Sequence, residues 1–185
     1  MLESILELDQ NLLLYLNNLG NTNWDAFWFA ITNRLTFIPL YIFLLYLMTN
    51  RQNRKAIFLL VFILAMMITF TDQVTNLFKD GFERLRPCAN KNIVNLLRIG
   101  DCRGFGFFSG HSSNSMSAAV FTILFLRAKY GKIIYLMIPW TLFVGYSRIY
   151  VGKHFPLDVL CGWLFGAFAG YLFFILFKFL KRRFV

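Results

Sequence analysis

The sequence predicts an all-α integral membrane protein, a bundle of about five to six transmembrane helices with an N-terminal amphipathic helix. Three observations carry this expectation. Of the 185 residues, 58% are hydrophobic and only 15% charged, too apolar a composition for a soluble domain of that length to solvate its surface. The apolar residues fall in long runs such as 56–70, the raw material of spans of about 20 residues that cross roughly 30 Å of hydrocarbon. The third observation is where the charge lies. The net charge is +10, and the whole excess resides in three acid-free segments: Arg51, Arg54 and Lys55; Arg127, Lys129 and Lys132; Lys178, Lys181, Arg182 and Arg183. The other nine basic residues are balanced by nine acids. Alternating helices put all three segments on one side of the membrane, which the positive-inside rule makes cytoplasmic. No nucleic-acid partner is expected, because the aromatic residues follow apolar spans and not basic grooves.

Residues 2–18 read as an amphipathic helix, with Leu2, Leu6, Leu12, Leu13 and Leu16 interrupted by acidic and amide positions, and it is expected to lie on the membrane surface. Glu3, Glu7 and Asp9, with no Lys or Arg in residues 1–20, argue against a cleaved signal peptide. The aromatic segment 24–31 is expected at the interface or at the start of the first span, placed near 35–50. Further spans are expected near 56–78, 111–128, 132–150 and 156–179, giving five crossings. The chain thus divides into an N-terminal interfacial segment, 1–34, and a transmembrane domain, 35–185. Residues 79–110, rich in Arg, Asn, Asp, Cys and Gly, form a loop opposite the basic segments and therefore outside. Pro156 suits the first turn of the last helix, where its missing N–H costs nothing.

Three separated segments meet on that outer face: KDGFERLRP at 79–87, SGH at 109–111 and SRIYVGKHFPLD at 147–158. A phosphate ester or anhydride needs charge neutralisation on its oxygens, an in-line nucleophile and an acid for the leaving oxygen. Arg86 and Arg148 offer guanidinium forks and Lys79 a point charge, while Ser109 and the Gly110 N–H can donate where a helix begins. His154 has Asp158 four residues on, one helical turn away, so the carboxylate can hold the imidazole tautomer and stabilise its cation after attack. His111, the other histidine, is left to protonate the leaving oxygen.

The pattern K-x6-RP, SGH, SR-x5-H-x3-D resembles the three-part signature of the type 2 phosphatidic acid phosphatase family at Lys79, Arg86, Pro87, Ser109, Gly110, His111, Ser147, Arg148, His154 and Asp158. The resemblance covers roughly residues 35–175. It implies a membrane lipid phosphatase or diphosphatase that uses no metal or other cofactor and forms a phosphohistidine on His154. The family usually carries Pro before SGH, where this chain has Phe108, and six spans are common in it. An outward-facing site on a small, bacterial-looking protein makes undecaprenyl diphosphate the first-choice substrate, in the bacterial inner membrane with the site facing the periplasm. Phosphatidylglycerophosphate, phosphatidic acid and lipid A phosphate are the alternatives. The partners expected are that lipid and the bilayer; the sequence assigns no oligomeric state.

Other residues carry paired readings. Asp72, one heptad before Lys79, either orients Lys79 or makes a structural hydrogen bond. Gly162, Gly166 and Gly170 form a smooth stripe, expected in internal packing, with a homodimer face as the alternative. Cys88 and Cys102 share the outer loop, where an oxidising compartment permits a disulfide; Cys161 reads as a small apolar residue. Arg84, Arg98 and Arg103 either engage a second phosphate or headgroup or belong to a solvated loop, and Ser147 either serves close packing or takes a direct role. Two other function classes compete: a membrane thiol oxidoreductase using the two loop cysteines, which leaves the ten matched residues unexplained, and a non-catalytic binder of lipid phosphates.

Overall fold

The computed structural model describes residues 2–98 and 102–184; residues 99–101 of the expected outer loop, like residues 1 and 185, lie outside the described residues. Seven α-helices follow in chain order among the described residues: α1 Leu2–Asn18, α2 Thr22–Thr32, α3 Ile38–Thr49, α4 Arg54–Phe82, α5 Gly110–Leu126, α6 Ile134–Tyr150 and α7 Pro156–Phe184. The spans expected near 56–78, 111–128, 132–150 and 156–179 fall on α4 to α7. By length and composition, α4, α7 and the stretch Gly131–Tyr150 that contains α6 each suffice to cross a membrane. Phe58, Leu77, Tyr135, Leu164 and Phe168 are exposed on the outside of these helices, a surface that lipid tolerates and water does not.

The first span differs from its expectation as one helix over 35–50. Helix α3 has 12 residues, about 18 Å at 1.5 Å per residue, too short to cross alone. It continues from α2 through the tight turn Arg34–Phe37, and the two helices are long and apolar enough only together, bent by 67° at the break, as a broken span or a re-entrant loop. The break has a local cause: the Asn33 side chain accepts the Leu35 N–H at 3.0 Å, an alternative to helical pairing that asparagine offers readily.

Helix α1 is not simply laid on the membrane surface. Its Asp9, Leu13 and Asn17 are buried against protein. Asn17 donates from Nδ2 to the carbonyls of Ile149 (3.1 Å) and Tyr150 (2.7 Å) and accepts the Arg98 N–H at 2.9 Å, so one amide satisfies the frayed end of α6 and a loop. Two apolar clusters build the interior. One lies deep in the bundle around Leu60, Met67, Phe121, Met137 and Phe173; the other, around Leu13, Ile93, Ile149, Phe155 and Val159, lies under the outer helix ends.

Close approach of α5 and α7 sets the position of the site. A Cβ on Gly162 would come within 2.6 Å of the Ser109 carbonyl oxygen, and Gly166 and Gly170 sit likewise on those of Ser113 and Ser117. Glycines at i, i+4 and i+8 thus face serines at the same interval, and the stripe is internal packing.

Candidate active site

Four helix ends deliver the sequence-identified residues to one end of the bundle. Helix α4 brings Lys79 in its last turn, α5 begins at Gly110 with Ser109 as its cap, α6 ends with Ser147 and Arg148, and α7 opens with Asp158 in its first turn. The three acid-free basic segments lie at the connections and terminus of the opposite end.

The turn from α6 to α7 is closed by the Arg148 carbonyl, which accepts the N–H groups of Lys153 (3.0 Å) and His154 (3.3 Å). Gly152 supplies the φ of 63° that this reversal requires. Helix α7 then starts with Pro156, suited to a first position, and Asp158 Oδ2 reaches back to accept the Phe155 N–H at 3.0 Å, the N-terminal half of a capping box. The same oxygen lies 3.6 Å from His154 Nδ1, slightly beyond hydrogen-bond length, and points the opposite ring nitrogen, Nε2, away from the carboxylate. Asp158 is fastened at two further points: its carbonyl accepts the Ser109 N–H at 2.9 Å, and Arg84 donates to its Oδ1 at 2.6 Å. His154 is 2% exposed. Burial, partly opposed by Asp158 and reinforced by Arg148, pushes its imidazole down to about 4, so the ring is neutral at physiological pH.

Ser109 Oγ accepts the Ser112 N–H at 3.3 Å and the Ser112 hydroxyl at 2.9 Å, which caps α5 and leaves its own proton to donate outward. Lys79 Nζ bonds Asn76 at 3.2 Å and lies 3.8 Å from where a Gly110 Cβ would be, with Asp72 Oδ1 at 4.0 Å. Asp72 therefore sits beside Lys79 above the N-terminus of α5, and it also accepts from Asn114 Nδ2 at 2.7 Å, so both readings of this acid have a contact behind them. Arg86 is held by its Nε on the Phe105 carbonyl at 3.0 Å. Arg148 is 5% exposed and donates from Nη1 to Thr32 of α2, while its Nε and His154 Nδ1 are buried without a hydrogen-bond partner. Among the described residues, none of Lys79, Arg86 and Arg148 forms an ion pair; the pairs found are Arg84 with Asp9 and Asp158, Arg98 with Asp25, and His154 with Asp158. Three cations at the same end of the bundle as a neutral imidazole, none of them in an ion pair among the described residues, make a candidate site for an anion.

The outer loop braces this cluster. Cys88 and Cys102 are bridged, with Cα atoms 5.4 Å apart, beside the pairing of Leu85 with Phe105. The Cys88 N–H bonds the Gly152 carbonyl at 3.0 Å, tying the bridge to the turn that carries His154. Phe108 is buried between Phe78 and Phe165, both with ring centres 5.2 Å away, so packing holds the chain here where proline would stiffen it.

Several residues at the site were not singled out in the sequence. Lys153 is half-buried, and burial followed by Arg148 and Arg86 lowers its ammonium pKa; only its place beside His154 hinted at this. Thr32 and Asp9 come from the segment expected merely to lie at the interface. Arg84 and Arg98, open to a headgroup role by sequence, are instead engaged by acids, and Arg103 is exposed. His111, in the first turn of α5, faces a cavity of about 370 Å³ that runs between α3, α4, α5 and α6 past Asp72 and Arg34 to apolar walls including Leu44, Met67 and Trp140.

Comparison with known proteins agrees with this geometry. The PAP2 superfamily model matches residues 56–182. The chain is 34% identical to a lipid A 4'-phosphatase of Bacteroides thetaiotaomicron over 95% of its own length and 80% of that protein's. It is 30% identical to a lipid A 4'-phosphatase of Porphyromonas gingivalis over 98% and 78%, respectively. An undecaprenyl-diphosphatase of Sulfolobus acidocaldarius is 41% identical over only 37% of this chain and 32% of its own. The fold matches that of a transmembrane PAP2-type phosphatidylglycerolphosphate phosphatase from Bacillus subtilis with a TM-score of 0.73 at 21% identity, covering 98% of this chain and 88% of the other. Undecaprenyl diphosphate, the first-choice substrate by sequence, is thereby not supported, since the relatives matched along nearly the whole chain are named for another lipid. The full-length relatives, the family match and the apolar helical bundle together establish that this chain belongs to the PAP2 superfamily and is an integral membrane lipid phosphatase of the type 2 phosphatidic acid phosphatase family.

Proposed function

We propose that the chain hydrolyses the 4'-phosphate of a lipid A-type glycolipid at the outer face of a bacterial inner membrane, through a phosphohistidine on His154. The observation that carries this reading is the group of unpaired cations Lys79, Arg86 and Arg148 around a buried, neutral histidine. Phosphate is the counter-ion that this cluster lacks. The two full-length relatives support the lipid A headgroup, and the cavity below His111 offers an apolar path for an acyl chain.

In the first step His154 Nε2 attacks phosphorus, a P–N bond forms, and the P–O bond to the lipid breaks as His111 donates a proton to the leaving oxygen. Asp158 stabilises the positive ring that results. The arginines and Lys79 hold the equatorial oxygens, with Ser109 and the Gly110 N–H donating at the start of α5. A water that loses its proton to His111 then attacks phosphorus, the P–N bond breaks, and inorganic phosphate leaves. Charge neutralisation comes from side chains, so no metal is required.

The test is phosphate release by the purified chain from lipid A, phosphatidylglycerophosphate, phosphatidic acid and undecaprenyl diphosphate, with EDTA throughout and His154→Ala as control. Release is expected to be fastest from lipid A, indifferent to EDTA and absent in the variant. Turnover by His154→Ala, or its loss with EDTA, would contradict the mechanism. Preference for another lipid would overturn the substrate alone. For the orientation, an Arg103→Cys variant treated with an impermeant thiol reagent should react from the periplasmic side; reaction from the cytoplasmic side only would invert it.

A further inference from the structure

The match to the PAP2 superfamily begins at residue 56, yet a helix that precedes it reaches the carboxylate beside the nucleophile. Arg84 stands between two buried acids. Its Nη1 donates to Asp158 Oδ1 and its Nη2 to Asp9 Oδ2, both at 2.6 Å, and its guanidinium lies 4.0 Å over the Phe155 ring. The side chains of Asp9 and Asp158 are 1% and 0% exposed, against 21% for Arg84. The other oxygen of Asp9 accepts the Leu157 N–H at 2.8 Å, an unpaired donor in the first turn of α7 that a cap on the same helix would otherwise satisfy. A continuous chain of contacts thus runs from α1 through Arg84 to Asp158 and His154. Neither Asp9 nor Arg84 belongs to the motif: Arg84 falls among the six unspecified positions between Lys79 and Arg86, and Asp9 lies outside the matched region.

We infer that Asp9 and Arg84 are positioning residues for the His154–Asp158 pair, which makes the N-terminal helix a working part of the active site. The inference rests on His154 being the nucleophile. The charge balance gives the reason. Two carboxylates and one guanidinium leave the triad with a net charge of about −1, so Asp158 keeps negative potential to face the ring as it becomes positive. Without Asp9, Arg84 would neutralise Asp158 outright and the developing cation would lose that support. Geometry acts in the same direction. A fork held at both ends fixes one oxygen of Asp158, so the other remains directed at His154.

The experiment compares wild type, Asp9→Asn, Arg84→Gln and the double variant on one lipid phosphate, with rates normalised to the monodisperse fraction in detergent so that only folded protein is counted. Asp9→Asn keeps size and shape while removing the charge. Its kcat is expected to fall at least about tenfold and its KM to stay within about twofold, because neither residue touches phosphate or lipid; phosphoenzyme formation should slow by the factor seen in kcat. The double variant should be no slower than Arg84→Gln, since both changes break one chain. A kcat for Asp9→Asn within twofold of wild type, a loss confined to KM, or losses that multiply in the double variant would overturn the inference. His154→Ala separates the two levels: turnover in that variant removes the nucleophile, whereas an inactive His154→Ala beside an unaffected Asp9→Asn removes only the relay.

Discussion

Arg148 is 5% exposed, its Nε has no partner, and Thr32 is the side chain to which it donates. A guanidinium so placed carries a desolvation penalty of several kcal/mol that no carboxylate offsets, and apolar replacement of buried ionic groups stabilises proteins by about 1–4 kcal/mol. Arg148→Met fills similar volume and gives up the bond to Thr32, on the order of 1 kcal/mol. The net expectation is a ligand-free variant more stable by about 1–3 kcal/mol, read in detergent as a rise of about 2–4 °C in the unfolding midpoint for each kcal/mol. The same change should lower kcat/KM by about 10²–10³, the usual consequence of removing one preorganised donor to a charged transition state. Inorganic phosphate provides the link between the two effects. At about 100 times its Kd it should stabilise wild type by roughly 2.7 kcal/mol and leave the variant almost unmoved. A variant that is less stable than wild type and still stabilised by phosphate would refute the reasoning, because the guanidinium would then be satisfied by the protein and not by the ligand.

Three further outcomes follow from the same geometry. Asp158→Asn should retain most of the fold yet lose about 10²–10⁴ in kcat, because the amide can neither stabilise the imidazolium nor hold the same tautomer; steady-state turnover on the preferred lipid measures it. Because the His154 pKa is depressed from 6.5 to about 4 by folding, the unfolded chain takes up the proton first as pH falls. Stability is therefore full above about pH 6.5 and declines towards pH 4, by on the order of 3 kcal/mol, and His154→Gln should flatten that part of the unfolding profile. Reducing the Cys88–Cys102 bridge, whose partners are 14 residues apart, should lower stability by about 3 kcal/mol and reduce activity by loosening Arg86 and the Gly152 turn; midpoints with and without reductant test this.

The sequence made the apolar helices and the ten motif residues legible because each rests on local spacing. Runs of apolar residues mark α4 and α7, Pro156 marks a helix start, and His154 and Asp158 are neighbours by helical period alone. Alternation of helices then brought Lys79, Ser109, Arg148 and His154 to one end without knowledge of any contact. What stayed hidden depends on contacts between distant segments. Asp9 looks like one acid among several in a surface helix until Arg84, 75 residues later, is seen against it. Thr32 is an ordinary helix residue until Arg148 reaches it. The 67° break between α2 and α3 rests on a single asparagine inside a segment whose composition reads as continuous. The substrate is not legible for a different reason: the motif reads the phosphate, which all these lipids share, and the residues that read the remainder of the headgroup have no fixed spacing.

Rapid-quench trapping with a lipid labelled in its phosphate addresses the nucleophile directly. Wild type should show an acid-labile, alkali-stable phosphoenzyme, carried on His154 and absent from His154→Ala. Label retained by His154→Ala, or turnover by wild type with no labelled chain at any quench time, would contradict a covalent role for His154.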